Sequence, residues 1–387
     1  MKKVFAIALA AMMVVAMFAG CGSSESAVDP NTVRIGLTGP FTGGNAVYGN
    51  AVRVAMEIAV DEINAAAGAD GLKIAFKAED DVSDNETALN AYNNLKDWDM
   101  QIFAGAVTTG PCMAIAPEAV ADQIFMMTPS GSAESIALAG SNIFQMCFTD
   151  PNQGDASAQL IKAQNLGTKI GVIYDSSTDY STGIWKSFKA KAEELGLNIA
   201  EDAITSFTAD SASEMTTQLT KCKEAGCDLV FLPIYATEAS IILNNAAAMG
   251  YAPTFLGCDG MDGILSVEGF DTMLAEGLIM MTPFAADSDD EATQSFVAKY
   301  KEKTGGETPN QFAADGYDVI YAIYAGCLEK GIDGTTSRAD ACAKLTEYFA
   351  SATYSGLTGS NMTWNENGLV SKIPTAVVVV DGAYVKK

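Results

Sequence analysis

The stretch between residues 102 and 132, IFAGAVTTGPCMAIAPEAVADQIFMMTPSGS, narrows what this chain can fold into more than any other. A short apolar run ends in Thr108-Thr109-Gly110, an alanine-rich segment follows, and a second apolar run ends in Ser130-Gly131-Ser132. Short apolar runs separated by a helical segment are the pattern of buried parallel strands with a crossover helix. Both strands then end on one edge of the sheet, and ligands of open α/β sheets sit in the crevice beyond that edge. Two neighbouring strand ends would aim hydroxyls and helix-start N–H groups at one point, which suits a small anionic group such as a carboxylate. The same residues also serve as ordinary turn and N-cap residues, so the stretch alone leaves both readings open.

The alternation extends in both directions. Residues 33–37 form a strand, the glycine-rich loop 38–49 follows, and Val52, Ala55, Met56, Ala59 and Ile63 fall at helical spacing. The loop matches neither GxGxxG nor a Walker A pattern and carries no lysine to meet a phosphate. Residues 72–78 are the next strand, and Asp84 caps a helix carrying Ala88, Ala91 and Leu95. Past the boundary TDPNQGD the pattern restarts, with strands at 169–174, 199–204, 228–232 and 255–257 and helices between them. The chain thus holds two α/β units with parallel sheets. A further strand-like run, 277–283, precedes helices near 289–304, 309–330 and 337–351 and an extended tail with an Asp381-Gly382 turn. These late helices have no sheet of their own and must pack on an earlier unit, so the chain crosses between the units more than once.

Residues 1–20 have the form of an export signal. Lys2 and Lys3 precede an uninterrupted apolar stretch too short for a membrane span, which ends at Ala19-Gly20-Cys21. Residues 21–31 are a flexible tether. The seven later cysteines are odd in number and widely spaced, which is no disulfide framework for a chain of 387 residues. Cys222 and Cys227 alone are close enough in sequence to pair, and no CxxC spacing provides a thiolate metal site.

Charge and composition remove whole classes of function. A formal net charge of −25 opposes binding to a nucleic-acid backbone and repels free anions, but not a zwitterion of zero net charge. The chain contains no histidine, which removes Ser-His-Asp and Cys-His catalysis and any His-ligated zinc site. No cofactor and no metal are expected, and no enzymatic activity. Against that background six strand-end loops stand out. In the first unit they offer Tyr48, Thr109, Ser130 and Ser132, and in the second Tyr180, Tyr235 and Asp259. Hydroxyls and backbone donors for a carboxylate, an acid for an ammonium and aromatic walls for a side chain are the three parts a zwitterionic amino acid needs. Taken singly, Asp259 before Gly260 is also a common turn residue, and the tyrosines are also ordinary helix-start and sheet-end residues.

In order and spacing these segments resemble the periplasmic leucine/isoleucine/valine-type binding proteins that feed ABC importers. The likeness runs from about residue 33 to 384, through IGLTGPFTG, AVDEINA (59–65), AEDDVSDNETA (78–88), AGAVTTG and MMTPSGS. It continues through GVIYDSSTDYSTG (171–183), FLPIYATEA (231–239), GCDG (257–260), AADGYDVIYA (313–322) and MTWNENG (362–368). The small-small-Cys ending of the leader resembles a bacterial lipobox, with Phe18 where leucine is usual, and implies a lipidated Cys21 on an exported, membrane-anchored protein. The fold it implies is α/β: the type I periplasmic-binding-protein fold, two Rossmann-like lobes joined by a multi-strand hinge. The first lobe is then 32–148 plus 278–355 and the second 149–277 plus 356–387.

The resemblance implies that Thr109 and Ser132 hold a ligand carboxylate and that the Ser130 carbonyl meets the ammonium. Tyr180 and Tyr235 close over the ligand, Asp259 pairs the ammonium, and Tyr48 matches an aromatic that borders the side-chain pocket; from their place in the sequence, Val107, Thr108 and Gly131 are expected to line that pocket as well. It implies an amino acid of apolar side chain as ligand, membrane permease subunits as partners, and a monomer. Asp259 is shorter than the glutamate frequent in the leucine group, and the disulfide of that group is absent, since Ser83 and Thr108 stand at its positions. Two other roles fit the same fold: a ligand-sensing subunit for a receptor, and a binder of amides, urea or aromatic acids.

Overall fold

The computed structural model describes residues 29–387. The expected leader 1–20, the lipidation residue Cys21 and most of the tether 21–31 lie outside the described residues. Among the described residues no helix is long and apolar enough to cross a membrane.

The first lobe is a five-stranded parallel sheet of order β2-β1-β3-β4-β5. Its strands are β1 (Thr32–Gly39), β2 (Lys73–Asp80), β3 (Ile102–Phe103), β4 (Phe125–Thr128) and β5 (Ile143–Gln145). Helices α1 (Ala46–Ala67), α2 (Asn85–Asp97), α3 (Thr109–Ala121) and the single turn α4 (Glu134–Ala137) alternate with them. Each strand is an apolar run because helices cover both faces, as parallel sheets require. On one face Tyr92, Leu95, Phe103, Ile115 and Met126 form a buried cluster, and on the other Ile35, Met56 and Phe125 join the largest core cluster. Asp84 starts α2 as expected, its carboxylate accepting from the Thr87 N–H at 2.8 Å.

The second lobe is built the same way. Helices α5 (Asp150–Gln164), α6 (Asp179–Glu194), α7 (Thr216–Glu224) and α8 (Ala236–Ala248) alternate with β6 (Ile170–Asp175), β7 (Ile199–Phe207), β8 (Leu229–Leu232) and β9 (Thr254–Gly257). The sheet is completed by β10 (Ile279–Thr282), β13 (Thr375–Val380) and β14 (Ala383–Lys386), in the order β14-β13-β10-β9-β8-β6-β7. The turn between β13 and β14 has positive φ at both Asp381 and Gly382, the conformation a two-residue hairpin loop needs.

Helices α9 (Glu291–Thr304), α10 (Gln311–Lys330) and α11 (Arg338–Phe349) pack on the first lobe, with α9 and α10 against α1 and α11 against β4. The chain therefore passes between the lobes three times: near 148–150, after 282 and near 372–374.

Two boundaries differ from the sequence expectation. The run 279–282 was expected with the first lobe, but β10 pairs in parallel with β9 and antiparallel with β13, so its apolar residues are buried in the second sheet. Conversely, the start of the tail, 356–371, stays on the first lobe. The hairpin of β11 (Tyr354–Gly356) and β12 (Gly359–Met362) is pinned by Asp318 of α10, which accepts from the Leu357 and Thr358 N–H groups at 2.9 Å each. Trp364 then donates its indole N–H to the Gln145 carbonyl at 2.9 Å and packs edge-on against Phe349. A buried indole needs such a partner, and β5 supplies it.

Candidate functional site

In each sheet the strand order reverses once, between β1 and β3 in the first and between β6 and β8 in the second. Loops at such a reversal diverge to opposite faces and leave a crevice at the carboxyl ends of the strands. The connections after β1 and β3 lead into helix starts carrying Tyr48 and Thr109, and those after β6 and β8 into helix starts carrying Tyr180 and Tyr235. The two crevices face each other, and six of the seven residues singled out in the sequence line the cavity between them: Tyr48, Thr109, Ser130, Tyr180, Tyr235 and Asp259.

The first-lobe wall is a rigid hydroxyl network. Thr128 Oγ1 donates to the Ala106 carbonyl at 2.7 Å and accepts the Gly131 N–H at 2.9 Å, while Ser130 Oγ donates to the Val107 carbonyl at 2.7 Å. The ends of β3 and β4 are thereby locked together. Thr109 opens α3, whose first-turn N–H groups lack intrahelical acceptors and carry the positive end of the helix dipole. Ser132 stands one layer back. Its N–H donates to Thr109 Oγ1 at 3.4 Å, and its hydroxyl, fully buried, has no hydrogen-bond partner among the described residues. Gly131, also expected at the pocket, faces away from it, and a Cβ there would meet Cys112 Sγ at 2.5 Å.

The second-lobe wall is aromatic and acidic. The rings of Tyr180 and Tyr235 are stacked, 4.6 Å between centroids and 6° from parallel. Tyr180 Oη donates to Asp259 Oδ1 at 2.7 Å, and the Gly260 N–H donates to both that carboxylate oxygen (2.7 Å) and the tyrosine oxygen (2.9 Å). Asp259 is 3% exposed, and among the described residues no Lys or Arg pairs with it. Burial pushes its carboxyl up to about 6, against the lowering effect of the bonds from Tyr180 and Gly260. A buried carboxylate without a cation is a costly feature, and a ligand cation relieves it.

Tyr48 joins the walls. Its hydroxyl donates to the Gly260 carbonyl at 2.5 Å and accepts the Ala236 N–H at 2.7 Å, so a first-lobe side chain grips two backbone groups of the second lobe. Thr237 Oγ1 adds a bond to the Gly44 carbonyl at 2.8 Å. With the lobes so held, the space at the centre is about 10 Å³, room for about one water. A wider chamber of about 310 Å³ adjoins it, sharing Thr108, Thr109, Tyr180 and Tyr235 as lining.

Sequence reasoning missed Phe312, whose ring lies 4.7 Å from that of Tyr48 and closes the apolar end of the cavity with Val107. It also missed the buried acids at the lobe crossings. Asp150, at the start of α5, is held well above the usual carboxylate range by burial. Burial pushes Asp262 up to about 7, although its carboxylate accepts the Gln311 N–H that opens α10 at 2.9 Å. At the positions of the missing disulfide, Ser83 Oγ and Thr108 Oγ1 are 3.1 Å apart and share a hydrogen bond. Among the described residues no group of acids or cysteines is arranged to hold a metal ion.

Comparison with known proteins matches residues 32–383 to a family described as periplasmic binding protein. The leucine-, isoleucine-, valine-, threonine- and alanine-binding protein of Pseudomonas aeruginosa is 25% identical over 90% of this chain and 90% of its own length. Among solved structures, the leucine binding protein LivK of Thermotoga maritima is 24% identical with a TM-score of 0.80, covering 92% of this chain and 97% of that one. LivJ of Streptococcus pneumoniae, a branched-chain amino acid transporter substrate binding protein solved with isoleucine, has the same identity and TM-score and covers 92% and 100%.

Proposed function

Since this chain belongs to the periplasmic binding protein family, we propose that it is the extracytoplasmic substrate-binding component of an ABC importer, taking up a free amino acid between its lobes. The observation that carries this reading is Asp259, buried, without a cation, and set across the cleft from the hydroxyls and helix start at Thr109. The two ends of the cleft differ in the sense a zwitterion requires. Thr109, backed by Ser132 and with the N-terminus of α3, receives the carboxylate; the Ser130 carbonyl and Asp259 receive the ammonium. Tyr48, Phe312 and Val107 supply an apolar wall for the side chain, in keeping with the branched-chain ligands named for the relatives.

Binding works by closure. The ligand contacts both lobes, so it stabilises the closed form by the difference between its affinities for closed and open states. The permease subunits recognise that form, and no covalent step is involved. Residues 1–20 direct export, and a lipid on Cys21 keeps the protein at the membrane through the tether 21–31, as a monomer.

The test is a thermal-shift screen of the tag-free mature protein against the twenty amino acids, followed by calorimetry of the hits. A bound ligand raises apparent stability by mass action. A shift with branched-chain amino acids is expected, and no shift with any amino acid would end this reading. A structure of the same fold from R. palustris holds benzoate. An aromatic acid brings no ammonium and would leave the Asp259 carboxylate buried and unpaired, so the amino-acid reading is preferred.

A further inference from the structure

The seven described cysteines are all free and buried, but Cys222 and Cys227 differ from the rest in their backbone setting. Helix α7 ends at Ala225, Gly226 follows with φ of +73°, and the Cys227 N–H returns to the Cys222 carbonyl at 3.0 Å. The Gly226 N–H returns to the Lys223 carbonyl, also at 3.0 Å. This is the paired 6→1 and 5→2 bonding of a Schellman helix stop, in which the residues now occupied by Cys222 and Cys227 are the two whose side chains meet. The 3.0 Å bond from the Cys227 N–H to the Cys222 carbonyl holds the two backbones side by side, as a disulfide between them requires.

The neighbouring strand confirms where the sulfurs point. A Cβ on Gly171 of β6 would stand 2.7 Å from Cys222 Sγ and 3.3 Å from Cys227 Sγ. Both sulfurs therefore project into the same gap, left open because position 171 has no side chain. Any residue larger than glycine would wedge against them.

We propose that Cys222 and Cys227 form a disulfide that staples the end of α7 to the start of β8 when the chain folds under oxidising conditions. The oxidant is an external disulfide. The thiolate of one cysteine attacks it, expelling one external thiolate and leaving a mixed disulfide. The second cysteine thiolate then attacks the protein sulfur and expels the other external thiolate. Two protein thiols and one external disulfide thus become one protein disulfide and two external thiols. In the folded protein burial raises the Cys222 thiol to about 12, so the exchange belongs to folding, before the site closes.

The experiment refolds the mature protein from guanidinium in a buffer of reduced and oxidised glutathione, traps free thiols with iodoacetamide after unfolding, and measures intact mass and tryptic peptides. Trypsin cuts after Lys223, placing Cys222 and Cys227 on separate peptides joined only by the bridge. The expected result is a mass about 2 Da lower before alkylation, a Cys222–Cys227 linked peptide, and a thermal midpoint that falls when dithiothreitol is added. In C227S the mass loss disappears. Iodoacetamide on both Cys222 and Cys227 of the refolded wild type, or a mass loss that persists in C227S, overturns the proposal. The readout requires no ligand, so it is independent of the amino-acid reading.

Discussion

The hydroxyl of Tyr48 and the carbonyl of Gly260 are 2.5 Å apart, although one belongs to the first lobe and the other to the second. With the Ala236 N–H on the same oxygen, this makes Tyr48 a latch between the two lobes. Tyr48→Phe keeps the ring against Phe312 and removes the latch. Each buried backbone group left without a partner costs about 1–3 kcal/mol. Small-angle scattering of the unliganded variant is expected to show a larger radius of gyration than the wild type, and calorimetry an affinity weaker by about tenfold. Equal radii and equal affinities would remove the latch from this account.

Asp259→Asn separates charge from shape. Removing one partner of a buried charge pair costs about 2–5 kcal/mol of binding, so amino-acid affinity should fall by roughly 30-fold to several thousandfold. Unliganded stability should rise, since a buried carboxylate without a cation is replaced by a neutral group of the same size. Calorimetry with the best amino acid and a thermal melt without ligand read the two effects. Unchanged affinity would show that the ammonium sits elsewhere.

The same carboxylate makes stability and binding respond to pH in opposite directions. An unfolded Asp titrates near 3.8, while Asp259 in the folded chain titrates at about 6 and Asp262 at about 7. Between these values the folded state holds more protons, so the contribution of both groups to stability is greatest at low pH and is lost as pH rises through 6 to 7. The unliganded melting temperature is expected to climb between pH 7.5 and 5.5. Amino-acid affinity is expected to weaken over the same interval, because a protonated Asp259 no longer pairs with an ammonium. In D259N the affinity profile should be flat.

Lys372 lies where the chain makes its third passage between lobes, fully buried, with Nζ 2.6 Å from Asp315 Oδ1 and 2.6 Å from Thr358 Oγ1. Lys372→Met leaves the Asp315 carboxylate buried without its cation, a change that costs about 3–5 kcal/mol. Urea titration at pH 7.5 should show a clear drop in midpoint. A loss under 1 kcal/mol would mean that the pair is dispensable.

Much of this was legible in the sequence. The strand–helix alternation is carried by apolar runs whose length and period have few alternatives, and both sheets formed where those runs stood. The cleft residues were legible because a strand end in a parallel sheet has a fixed place: Thr109 and Ser130 fall at the carboxyl edge of the first sheet, and Tyr180, Tyr235 and Asp259 at that of the second. Phe312 was not, since it opens a helix with no strand before it. Asp150 and Asp262 were hidden for a related reason: their burial arises at the crossings between lobes, which depend on tertiary packing. The run 279–282 was misplaced because an apolar strand does not state which of two sheets it joins. Only its hydrogen bonds to β9 and β13 decide that.

The closed cleft also sets a kinetic order of events. Both lobes wall the cleft and the Tyr48 hydroxyl bridges them, so an amino acid enters only while the lobes are parted. In stopped-flow mixing the observed rate should level off at high ligand concentration, and the plateau measures how fast the unliganded hinge swings.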